Sequence, residues 1–151
     1  MKSNNYRSFL LMLLVSFIIM YSVMFLNVDK FEHIYISTTR VYMALLMVAP
    51  MAILMLLLMP GMFSNKGYNA AISISSLVVF ILALTFLRNQ TFVTDEAYMK
   101  AMIPHHSSAI LVSKEANIKD PQLKKLSENI ISSQEKEISE MKQMLKRMKN
   151  E

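Results

Sequence analysis

The chain has 151 residues, 54% of them hydrophobic, and a formal net charge of +5. It contains no cysteine, which excludes disulfides and thiolate metal sites. In residues 1–90 Lys2, Arg7, Lys30, Arg40, Lys66 and Arg88 stand against only Asp29 and Glu32, whereas residues 91–151 carry ten basic and nine acidic side chains, too balanced for a nucleic-acid-binding surface.

Three stretches lack any charged side chain: Ser8–Val28, Val41–Asn65 and Gly67–Leu87. Each is long enough for a helix crossing a hydrocarbon core of roughly 30 Å. An integral membrane protein is expected, with lipid as a partner and spans near 9–26, 41–59 and 70–87. The first run is long and has no small-x-small cleavage site after it, so it reads as a retained anchor. Lys2, Arg7 and Lys66 fall on one side of the membrane and Lys30, Arg40 and Arg88 on the other, so the positive-inside rule ties.

The segment joining the first two spans holds His33 near Asp29 and Glu32, an unremarkable loop group with no expected metal role. In the second span Met43, Met47, Met51, Met55 and Met59 recur every fourth residue. Such steps advance about 40° past each full turn, so the row winds around the helix and reads as adaptable packing. Pro50 removes one backbone donor there, and a kink is expected. Pro60-Gly61 breaks the chain before the third span. No ionisable side chain lies inside any span, which argues against an autonomous transporter.

After Arg88 the chain becomes charged and free of glycine. Residues 1–90 therefore read as a membrane domain and 91–151 as a helical hairpin. Thr94-Asp95-Glu96 is a helix start, with a capping hydroxyl and acids in the first turn. That helix should reach about Ala116, with a turn over Asn117–Asp120. Asp120-Pro121 starts a second helix ending near Lys149. Leu123, Leu126, Ile130, Ile138, Met141, Leu145 and Met148 supply its apolar stripe, which Gln134 interrupts. Two such helices bury little alone. A second copy completing a four-helix bundle, or docking on the spans, would cover them.

Met99, Met102 and His106 are spaced i, i+3 and i+7 and share a face. His105 lies on its flank, about 100° from its neighbour. The second helix offers Gln134, Glu137, Met141, Met144 and Met148. A turn near Ile118 would place His106 opposite Ile131 and Met102 near Gln134. Imidazole with thioether suits a soft transition metal, above all Cu(I).

Met102-Ile103-Pro104-His105-His106-Ser107-Ser108-Ala109-Ile110 closely resembles the signature of the family called domain of unknown function 305. Gln134-Glu135-Lys136-Glu137-Ile138-Ser139-Glu140-Met141 is similar to its second-helix pattern, and the order and separation of both motifs agree. The resemblance covers about 92–149. It implies a ferritin-like helical fold outside the cytoplasm, and copper or silver binding linked to metal tolerance. By motif position it implies Met102, His105 and His106 as ligands, with Met141 contributing from the second helix. Gln134 and Glu137 match the motif without an implied ligand role. Fuller members carry more helices than this tail, which points to a homodimer or higher oligomer.

The fold class expected is all-α: three transmembrane helices, then a ferritin-like hairpin pairing into a four-helix bundle. The expected function is a plasma-membrane-anchored binder of Cu(I) or Ag(I), with the hairpin extracytoplasmic. Its candidate metal set is Met102, His105, His106, Met141, Met99, Glu137, Gln134 and Met144. The alternative is a metal-free helical interaction module. No nucleophile constellation, phosphate loop or carboxylate-rich di-iron set is visible, so an enzyme ranks last.

Overall fold

The computed structural model describes residues 2–150. They form α1 (Lys2–Val23), a 3₁₀ turn (Phe31–His33), α2 (Thr38–Leu58), α3 (Lys66–Asn89), α4 (Asp95–Glu115) and α5 (Pro121–Asn150), with no strand among the described residues. Three helices are long and apolar enough to cross a membrane, over Asn5–Val23, Thr38–Leu58 and Lys66–Asn89. The expected all-α class and the three apolar helices are therefore present. The helices outrun the charge-free stretches at several ends because helix propagation does not stop at a charged residue.

The chain packs as two units, Met1–Met24 with Thr39–Phe92, and Phe25–Thr38 with Val93–Glu151. In the first unit α2 is the inner helix: 28% of its apolar window is buried, against 6% for α1 and for α3. Its buried face includes Ala44, Ala49 and Ala52, small side chains that let helices approach closely. Phe9, Ala52, Leu56 and Phe63 form one core cluster, with Phe9 and Phe63 edge to face at 5.1 Å between ring centres. The Asn65 carboxamide caps α3 by accepting from the amides of Gly67 and Tyr68. The Tyr6 hydroxyl donates to Asn69 Oδ1 at 2.8 Å and accepts from the Asn65 amide.

The second unit is built on α4 and α5. Ile103, Ile110 and Ile138 are its buried centre, with Ile131, Met141, Leu145 and Tyr35 packed around them. The hairpin register differs from the expected one. Ile103 packs with Ile138, one helical turn beyond the partner that a reversal at Ile118 implies, because burying Ile103, Ile110 and Ile138 together sets the register. The non-helical stretch itself runs from Ala116 to Asp120, close to the expected turn. Asp120 Oδ1 accepts the Leu123 amide, as its cap role requires.

Residues 25–38, grouped by sequence with residues 1–90, pack in the second unit. The segment folds on the hairpin. Ser107 Oγ, fully buried, accepts the Asp29 amide at 2.8 Å and lies 2.9 Å from His33 Nδ1. Asn27 Nδ2 donates to Ser108 Oγ, Lys114 pairs with Asp29 at 3.2 Å, and Lys142 pairs with Glu32 at 2.8 Å. A chain that crosses three times delivers its first connection and its tail to the same side. This packing therefore agrees with the three spans.

Candidate metal centre

The Thr94 hydroxyl accepts the Ala97 amide and starts α4, which continues through Pro104 to Glu115. The proline ring is buried and so takes the place of apolar core. Met99, Met102 and His106 then emerge on one face, as their spacing requires. On α5 the i, i+4, i+7, i+11 series of Glu137, Met141, Met144 and Met148 meets them. Together they line a groove of about 490 Å³, rimmed by Asp95, Tyr98, Glu140 and Arg147.

Six of the eight sequence candidates thus come together: Met99, Met102, His106, Glu137, Met141 and Met144. His105 and Gln134 do not line the groove. The rings of His105 and His106 diverge, with centres 6.0 Å apart and planes at 61°. His105 is exposed, whereas the His106 side chain is 13% exposed. Gln134 Oε1 is buried and makes no hydrogen bond among the described residues. Met148 joins the groove, and its place in the apolar stripe was the signal for it.

His106 Nδ1 lies 3.1 Å from Glu137 Oε2. The approach is off the line that a ring N–H needs, so this buried nitrogen makes no hydrogen bond of good geometry. Burial is the main influence on the ring and pushes its pKa down; Glu137 works against burial, and His105 works with it. The imidazole is accordingly neutral at neutral pH, the form that has a lone pair for a metal. Glu137 is itself held by Ser133, whose hydroxyl donates to Oε1 at 2.8 Å. The sequence reading missed Ser133, although its i, i+4 spacing to Glu137 was visible.

Among the described residues no three His, Asp or Glu side chains converge as a metal site. The groove instead offers thioethers with one imidazole and one carboxylate near it. Thioether and imidazole donors suit a soft, low-charge ion, and the carboxylates of Asp95 and Glu140 stand at the rim. Ser107 and Ser108, which follow the histidine pair, face the other way and hold the 25–38 segment.

The family model described as Domain of unknown function (DUF305) matches residues 81–145. An uncharacterized protein of Acanthamoeba polyphaga mimivirus is 37% identical over 144 residues, covering 93% of each chain. No solved structure matches. The family match includes both the histidine pair and the second-helix motif, and the likeness to the viral protein extends over the apolar helices as well. The chain belongs to the DUF305 family.

Proposed function

We propose that this protein is a membrane-anchored binder of a soft transition metal, Cu(I) or Ag(I), serving sequestration, tolerance or delivery rather than catalysis. The carrying observation is the unbonded Nδ1 of His106 beside a groove lined by thioethers. Met99, Met102, His106 and Met141 are the holding residues, with Met144 and Met148 further along α5. Glu137, whose Oε2 lies 3.1 Å from His106 Nδ1, supplies a negative charge that balances the bound cation. His105 lies outside this set and is available to a second copy. The hairpin is extracytoplasmic in this reading, anchored in the plasma membrane by α1–α3.

The test is a competition titration of the full chain in detergent with Cu(I) against a chelator. His106→Ala with Met102→Ala weakens binding by at least about tenfold, or roughly 1.4 kcal/mol. Unchanged affinity rejects the site.

A second reading, a helix-pairing module, is favoured by one observation. Leu123 and Leu126 are about half exposed on α5 and Ile130 is at 36%. A second copy that covered them would complete a four-helix bundle. Oligomeric mass measured with metal stripped away separates the two readings. A metal-free dimer favours pairing, and a monomer counts against it.

A further inference from the structure

The segment Phe25–Thr38 carries bonded polar groups and uncovered apolar ones. Asn27, Asp29 and His33 are bonded to α4, and Glu32 to Lys142 of α5. Away from those contacts, Leu26 is 78%, Phe31 89% and Ile36 83% exposed. These are large apolar side chains that no part of the described chain covers. Lys30, also exposed, stands beside Phe31.

Chain length limits where they can be. Leu26 follows the end of α1 at Val23 by three residues, and Ile36 precedes the start of α2 at Thr38 by two. At no more than about 3.6 Å per residue, Leu26 lies within about 11 Å of one apolar helix end and Ile36 within about 7 Å of the other. The chain from Met24 to Asn27 is a turn, which shortens the first reach further. The headgroup layer adds roughly 5–8 Å to each side of the hydrocarbon core. Wherever the hairpin stands, the chain keeps Leu26 and Ile36 at or just outside the depth of lipid headgroups, whereas Phe31, seven residues from Thr38, has a reach of up to about 25 Å and joins them by its exposure alone.

We infer that Leu26, Phe31 and Ile36 form a lipid-facing side of this segment, seated in the boundary between headgroups and acyl chains. Lys30 adds attraction to anionic lipid. The segment is then a bracket with the bilayer surface on one side and α4 on the other. Burying apolar side chains several ångströms into the boundary is the ordinary mode of interfacial segments. The inference stands on exposure and tether length and does not require a metal.

The chain contains no tryptophan, so one introduced residue is a sole reporter. The full chain carrying Ile36→Trp, and separately Phe31→Trp, is reconstituted into vesicles of phosphatidylcholine and phosphatidylglycerol, with or without bromine on the acyl chains. Both positions are exposed, so the substitutions disturb no packed contact. The expected result is blue-shifted emission, quenched about twofold or more by the brominated lipid, the behaviour of a side chain at the acyl boundary. Red-shifted emission that brominated lipid leaves unchanged places the side chain in water and overturns the inference. Blue-shifted but unquenched emission means that protein, such as a second copy, covers the site, and also overturns it.

Discussion

Ser107 Oγ sits 2.9 Å from His33 Nδ1, and the two residues are 74 positions apart. Both are buried, and the same hydroxyl oxygen accepts the Asp29 amide. One small side chain therefore satisfies a ring nitrogen and a backbone donor of a distant segment. Removing it strands both. Ser107→Ala should destabilise the second unit by about 1–3 kcal/mol, the penalty for buried polar groups left unpaired. Thermal unfolding of the full chain in detergent checks the size. Hydrogen exchange checks the place, because amides of 25–38 should lose protection first.

Acid should weaken the same clasp. Burial is the largest influence on His33 and holds its pKa below the ordinary 6.5; Lys142 and Lys30 act in the same direction, and Glu32 and Asp29 oppose them. The unfolded chain then takes up protons before the folded chain does. Stability from the neutral ring is complete above pH 6.5, declines as pH falls through that value, and levels off below the folded-state pKa. Melting temperature should therefore drop as pH falls through 6.5, and His33→Gln should flatten that part of the profile. An equal slope in the variant would assign the effect elsewhere, His106 being the other ring with a lowered pKa.

Glu137 offers a test of the groove that leaves the thioethers intact. Its two carboxylate oxygens are divided between Ser133 and His106. Glu137→Gln keeps the shape and removes the charge. Cu(I) affinity should fall by about tenfold, roughly 1.4 kcal/mol, as the negative charge beside the cation is lost. Ser133→Ala should move affinity in the same direction by less. No change in either variant would leave Glu137 without a part in binding.

Core truncation provides a stability reference. Ile103 is fully buried against Ile138, so Ile103→Ala should cost about 2–5 kcal/mol through lost burial and the cavity left behind. Leu123, half exposed on α5, should cost much less as alanine. Similar losses at the two positions would place a covering partner over Leu123.

The sequence made some parts of this structure plain and others not. Charge-free runs identify α1–α3 directly, since nothing else needs so many consecutive apolar residues. Helix starts at Thr94 and Asp120 follow from local capping chemistry, and the shared face of Met99, Met102 and His106 follows from helical geometry. The 25–38 segment has neither periodicity nor length to reveal its role, because its order comes from polar contacts with residues far along the chain. The hairpin register differs by one turn because mutual burial of Ile103, Ile110 and Ile138, and not the midpoint of the turn, sets it. The exposure of His105 was half legible: adjacency shows that two rings diverge, but not which one faces the groove.

The ion pair of Glu32 with Lys142 spans 110 residues. During synthesis Ser107 can meet His33 and Asp29 first, and the Glu32 contact must wait until nearly the whole tail has emerged. Assembly ends with a late latch rather than growing outward from the start. A chain halted before Lys142 would lack this outer latch while keeping the contacts to Ser107, Ser108 and Lys114.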